Sequence, residues 1–183
     1  SYEKGTGKAK KIREKVMIEF SQPNTHKGFH VGHLRNATLG DSLCRIYRYN
    51  GFEVVAANYF GDVGAHIAKC LWYFLNHCNE SPPEKLRGEW LGELYSRAVH
   101  HLENLEGEEA QKANSEISLL LKRMEEKEPE ISQVWEMTRQ WSMKDFEEIY
   151  RWLDIHFDHD FYESDVDEEG RKMVLKGEAE KMG

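Results

Sequence analysis

Two histidines three residues apart, a glycine between them and a lysine just upstream fall within the run Pro23-Asn24-Thr25-His26-Lys27-Gly28-Phe29-His30-Val31-Gly32-His33. Placed at the start of a helix, such a set suits a phosphate group. A helix N-terminus offers unpaired backbone N–H groups and the positive end of the macrodipole. His30 and His33 would share one side of the first turn and could donate hydrogen bonds to charge developing on a phosphate. Gly32 would allow close approach of a ligand to the backbone, and Lys27 supplies a mobile positive charge. The chemistry implied is attack at, or departure from, a phosphorus centre.

The neighbouring segments supply the strand and helix this requires. Lys15-Val16-Met17-Ile18-Glu19-Phe20 reads as a short strand, broken by Ser21-Gln22-Pro23-Asn24. From His30 the period changes, and Val31, Leu34, Thr38, Leu43, Ile46 and Tyr47 fall on one helical face until Asn50-Gly51. On its own, the four-residue pattern also fits a half-built metal site or a polar helix start. Its place between a strand and an amphipathic helix favours the phosphate reading.

At these residues the chain resembles the class I aminoacyl-tRNA synthetases, whose His-Ile-Gly-His signature corresponds to His30-Val31-Gly32-His33. The longer stretch Glu19-Phe20-Ser21-Gln22-Pro23-Asn24, then Lys27 and His30-Val31-Gly32-His33-Leu34-Arg35-Asn36 with Gly40-Asp41, is similar to the arginyl-tRNA synthetases. So is a second patch, Gly51 to Gly64, which carries a strand and a Gly-Asp-x-Gly turn. Val63 stands where that turn usually has tryptophan, and His66-Ile67-Ala68 replaces the usual Gln-Phe-Gly. These departures bear on the fine shape of the pocket.

The resemblance implies an ATP site formed by Lys27, His30, Gly32 and His33, with His30, His33 and Lys27 catalytic as an arginine carboxylate attacks the α-phosphate. It implies that Lys27 stands in for the lysine loop used by other class I enzymes. It also implies that Glu19, Ser21, Asn24 and Asp62 face arginine, and a carboxylate suits a cationic substrate. Magnesium would enter with ATP, with no protein metal site. L-Arginine and tRNA(Arg) are the expected partners.

The expected fold is α/β, a partial Rossmann-like parallel sheet with a largely helical insertion. Residues 1–14 form a basic lead; 15–80 the first half of the catalytic domain, as strand, helix, strand (Glu53 to Ala57) and helix (Ala65 to His77); 81–153 the insertion; and 154–183 a strand and helix returning to the catalytic domain. Ser81-Pro82-Pro83 marks a boundary. Beyond it, Glu84 to Leu105, Glu108 to Glu126 and Pro129 to Leu153 read as helices. The resemblance places such an insertion beside the active site, helping to bind the acceptor arm of tRNA. Asp154 to Ser164 alternates as a half-buried strand, and its His156 and His159 among aspartates need no metal to explain them. Asp165 to Met182 reads as a polar helix.

The 183 residues carry a net charge of −8, which does not announce a nucleic-acid binder. Lys4, Lys8, Lys10, Lys11, Arg13 and Lys15 form the concentrated basic run, read as a solvated tail. Cys44, Cys70 and Cys78 lack zinc-like spacing and read as free thiols in a reducing compartment. No stretch nears the ~18 apolar residues of a membrane span, so a cytoplasmic protein is expected. Trp72, Trp135, Trp141 and Trp152 read as core residues; Trp90 and Tyr95 are the better candidates for a stacking surface, and even there core packing is the favoured reading. The resemblance runs out at Lys181-Met182-Gly183, before the later catalytic half, so the chain reads as a fragment, inactive or nearly so alone. Two other readings are an interaction or RNA-binding module derived from such an enzyme, and another His-x-Gly-His nucleotidyltransferase.

Overall fold

A computed structural model of the chain describes residues 14–181; the basic run before Glu14, and Met182, lie outside the described residues. Its element order is β1 (Lys15–Glu19), α1 (Val31–Tyr49), β2 (Glu53–Phe60), α2 (Ala65–Asn76), α3 (Arg87–Glu103), α4 (Gly107–Glu125), α5 (Pro129–Trp152), β3 (His159–Tyr162) and α6 (Glu163–Lys181). The strands form one parallel sheet in the order β1-β2-β3. Parallel pairing requires crossovers, and α1 makes the first while α2 to α5 together make the second. Lys15 to Glu19 pair with Glu53 to Ala57, and Ala57 to Phe60 pair with His159 to Tyr162.

Three features differ from the sequence reading. β2 runs three residues beyond Ala57, because Asn58, Tyr59 and Phe60 find partners in β3. β3 is only four residues long, and Asp154 to Asp158 form a turn and connecting loop. Asp154 is left-handed at φ 56°. The Asp158 carboxylate accepts the Ala56 N–H at 2.7 Å and meets Arg48 at 3.3 Å, so polar residues there pin the loop to β2 and α1.

The third concerns α1. Its buried residues are His33, Ala37, Gly40 and Cys44, whereas the large apolar residues Val31, Leu43 and Ile46 are 80 %, 40 % and 56 % exposed. Small residues face the sheet because the helix sits almost on it: a Cβ at Gly40 would lie 2.1 Å from Phe20 Cγ, well inside contact distance.

The helical layer has its own core. Ile67, Ala68, Leu71 and Trp72 of α2 pack with Ala113, Ile117 and Leu120 of α4 and with Ile131 of α5. A second cluster joins Cys70 to Trp90, Leu91 and Leu94 of α3. Trp90 is thus buried in a core, whereas Trp152, read as a core residue, is 81 % exposed. Cys44 and Cys70 are buried free thiols, and Cys78 is half-buried. No described helix is long and apolar enough to cross a membrane.

Candidate active site

The loop between β1 and α1 leaves the carboxyl end of the sheet, where open parallel sheets bind ligands. Its first part is buried and tied down. Ser21, Gln22 and His26 all have positive φ, 76°, 56° and 60°, a backbone state that non-glycine residues keep only when the surroundings enforce it. The Ser21 hydroxyl and the Tyr150 hydroxyl share a 2.7 Å bond, and Asn58 Nδ2 donates to Tyr150 at 3.1 Å. Burial pushes the Tyr150 phenol up to about 12. Asn58 Oδ1 accepts the Gln22 N–H at 3.1 Å, and Thr25 N donates to the Gly61 carbonyl at 3.0 Å.

His26 completes the anchor. Its backbone N–H donates to Ser142 Oγ at 3.0 Å, and its ring bridges Thr25 Oγ1 at 3.0 Å and Thr138 Oγ1 at 2.7 Å. Thr138 gives its own proton to helical carbonyls, Val134 at 2.8 Å or Trp135 at 3.0 Å. His26 Nε2 therefore donates to Thr138, and Nδ1 of the neutral ring accepts from Thr25, whose hydroxyl proton is shared between this 3.0 Å contact and the Gly61 carbonyl at 3.4 Å. Burial, and then the nearby His66, lowers its pKa to about 3.

The second part of the loop presents its groups. His30 caps α1: its Nδ1 accepts the Gly32 N–H at 3.1 Å, and His33 Nδ1 accepts the His30 N–H at 3.3 Å. Such a reciprocal cap satisfies two otherwise orphaned donors. The rings stack at 3.7 Å between centroids, and the His30 ring lies over Gly32, where a Cβ would be 2.9 Å from His30 Cε1. Gly32 thus admits the histidine ring itself. With both Nδ1 atoms accepting, Nε2–H is the remaining donor on each neutral ring. Burial, then His30 and Lys27, lower His33 to about 4, so His33 is a neutral donor near pH 7, and the fixed positive charge falls to Lys27 and the helix terminus.

Lys27 lies over the Tyr95 ring, 5.1 Å from its centroid. With Gly28 and Phe29 it lines a cavity of about 380 Å³ whose other lining residues include Leu86, Glu89, Phe146 and Trp152. His66 lies close enough to Lys27 to feel its charge; burial and that charge lower it to about 4, and its buried Nε2 has no hydrogen-bond partner among the described residues.

The four residues implied for arginine divide in two. Glu19 is exposed at the end of β1, holding Gln22 Nε2 at 2.7 Å, and half-buried Asn24 sits beside Gly61 across an isolated bridge. Ser21 and Asp62 are fully buried, with polar atoms already engaged. The Asp62 carboxylate accepts from Arg139 Nε, Ser164 N and Ser164 Oγ, each at 2.8 Å. Trp135 Nε1 donates to the Asp62 carbonyl at 2.8 Å, and Arg139 stacks on Tyr162 at 4.1 Å. Sequence reading missed Tyr150, Thr138, Ser142 and Arg139. The available signal was small polar residues in the stripe Ile131, Thr138, Ser142, Phe146, Tyr150 that α5 buries. Among the described residues, no group of three or more His, Cys, Asp or Glu is arranged to hold a metal.

Comparison with known proteins bears on the family and the fold. A family model described as "tRNA synthetases class I (R), catalytic domain" matches residues 2–177. Arginine–tRNA ligase of Bdellovibrio bacteriovorus is 45 % identical over 154 residues, covering 84 % of this chain and 27 % of that protein. The ligase of Bacteroides thetaiotaomicron is 35 % identical over 190 residues, covering 96 % and 32 %. Thermus thermophilus arginyl-tRNA synthetase superimposes with a TM-score of 0.71 at 26 % identity, over 90 % of this chain and 26 % of that one. The Plasmodium falciparum enzyme shares the fold, with a TM-score of 0.66 at 23 % identity over 91 % of this chain and 27 % of that one. The chain spans between a quarter and a third of the length of these relatives. It belongs to the class I arginyl-tRNA synthetase catalytic-domain family.

Proposed function

We propose that this chain carries the ATP-binding part of an arginine-activating site, serving a cytoplasmic enzyme that joins arginine to tRNA(Arg). One observation carries the reading: the reciprocal His30–His33 cap leaves two Nε2–H donors at the N-terminus of α1, with the Lys27 charge close by. The arginine carboxylate attacks the α-phosphorus of ATP; a P–O bond forms to the carboxylate and the bond to pyrophosphate breaks. The protein supplies no covalent nucleophile. His30 and His33 donate to the oxygens on which charge builds, Lys27 draws the triphosphate into line, and the helix terminus adds its dipole. Glu19 and Asn24 are the groups open to arginine, while Ser21 and Asp62 act by holding the loop and the β2–α2 turn. Magnesium, on this reading, arrives with ATP.

Calorimetric titration of the chain with magnesium-ATP, then with L-arginine, tests the proposal. Saturable ATP binding that is lost in a folded His33→Ala variant is the expected result. A folded wild-type chain that binds no ATP would overturn the assignment of a self-sufficient nucleotide site.

A further inference from the structure

Helix α3 belongs to the helical layer, yet it touches the phosphate-binding loop directly. At Gly92 a Cβ would lie 2.4 Å from Gly28 N, 2.9 Å from Gly28 Cα and 3.1 Å from the Lys27 carbonyl carbon. Helix and loop backbone are thus in contact through a residue that has no side chain. One turn further along α3, Tyr95 places its ring 5.1 Å from the Lys27 ammonium. Tyr95 is itself packed against the α2–α3 cluster of Cys70, Trp90, Leu91 and Leu94, so its ring is held by a core and not by solvent. Residues 92 and 95 lie on one face of the helix, as a spacing of three requires.

We propose that α3 is the positioning element for Lys27: Gly92 seats the Lys27–Gly28 backbone, and the Tyr95 ring holds the ammonium in place before a nucleotide arrives. The idea rests on the assignment of Lys27 to the triphosphate. Lysine is a flexible point charge with a large rotamer entropy, and fixing it in advance reduces what binding must spend on ordering it. A ring does this without cancelling the charge. A carboxylate partner would neutralise the lysine and compete with phosphate, whereas a ring face attracts the cation and leaves it positive.

The test uses the ε-methylene NMR signal of Lys27, identified by its loss in Lys27→Ala. A ring beneath the side chain displaces that signal upfield from those of other lysines. The displacement is expected to persist in Tyr95→Phe, which keeps a ring, and to vanish in Tyr95→Leu. Gly92→Ala is expected to shift it as well, since the new Cβ must move the loop. An unchanged signal in Tyr95→Leu overturns the proposal. In parallel, Tyr95→Leu is expected to weaken magnesium-ATP binding by about two- to fivefold, the size of a cation–π contact at a partly exposed site. Tyr95→Phe is expected to retain wild-type affinity. Tyr95→Leu should add nothing once Lys27 is alanine; the same loss in both backgrounds would show a merely structural role and overturn the positioning claim. Should Lys27→Ala leave ATP binding untouched, the role assigned to Lys27 fails, while the NMR signal still decides whether Tyr95 holds it.

Discussion

The two halves of the loop between β1 and α1 behave in opposite ways although they adjoin. From Ser21 to His26, most polar groups are buried and satisfied by partners on β2 and α5. From Lys27 to His33, the ammonium lies over the Tyr95 ring and the two imidazoles spend their Nδ1 atoms on the helix cap, and on the proposed function the ammonium and the Nε2–H groups are what the loop presents. On the proposed function, the contrast shows how a short loop can present reactive groups accurately: one half is immobilised by remote helices so that the other need not satisfy itself. It also explains why α5, in sequence the last of the helical layer, matters to a site more than a hundred residues earlier.

The sharpest break between the halves is expected from His33→Ala. In the full-length enzyme it should slow arginine activation by about 10²- to 10³-fold, as loss of a transition-state donor does. Stability should fall by only about 0.5–1 kcal/mol, for part of a helix cap. Comparison of pyrophosphate-exchange rate with denaturant midpoint checks both numbers. His26→Ala should behave in reverse, removing a fully buried ring and leaving Thr25 and Thr138 without it. A loss of about 2–4 kcal/mol in unfolding free energy is expected, read from urea melts.

Tyr150→Phe is a milder probe of the same anchor. It deletes the hydroxyl that joins Ser21 to Asn58, for about 1–3 kcal/mol, and should leave ATP affinity intact wherever the chain is folded. A loss of ATP affinity equal to that of His33→Ala would erase the distinction between anchoring and presenting residues.

Several of these relations were legible in the sequence and others were not, for physical reasons. Lys15 to Glu19 and Val31 to Tyr49 followed from turn residues and a change of period, which are local signals. The buried face of α1 did not, because close helix–sheet contact selects Ala37, Gly40 and Cys44 over bulky residues, and hydrophobicity alone points to the wrong side. Asp158 sat in an alternating pattern that looks like a strand, yet its carboxylate is used to pin a loop to Ala56. The His30–His33 pair was legible because its spacing is short. The anchoring of Ser21 and His26 by Tyr150, Thr138 and Ser142 was not, because contacts across 112–129 residues leave no mark in local pattern.

A further expected effect is on pH. His26, His33 and His66 are lowered to about 3, 4 and 4 from an ordinary 6.5. Between those values and 6.5 the unfolded chain binds more protons than the native one, so stability rises with pH in that window. It is complete above about pH 6.5 and declines on acidification until the native-state values are passed. Melting temperature should therefore drop steadily from pH 7 to pH 4. The slope should be shallower in His26→Asn than in wild type; identical slopes would mean that His26 does not resist protonation.

The most direct single measurement is ATP titration calorimetry on Lys27→Ala and Tyr150→Phe, at a temperature where thermal scans show both folded. Expected is Lys27→Ala with the wild-type melting temperature and at least tenfold weaker binding, and Tyr150→Phe with a lower melting temperature and wild-type binding. If Lys27→Ala binds ATP as wild type does, or melts as early as Tyr150→Phe, the division of this loop into an anchored half and a presenting half is contradicted.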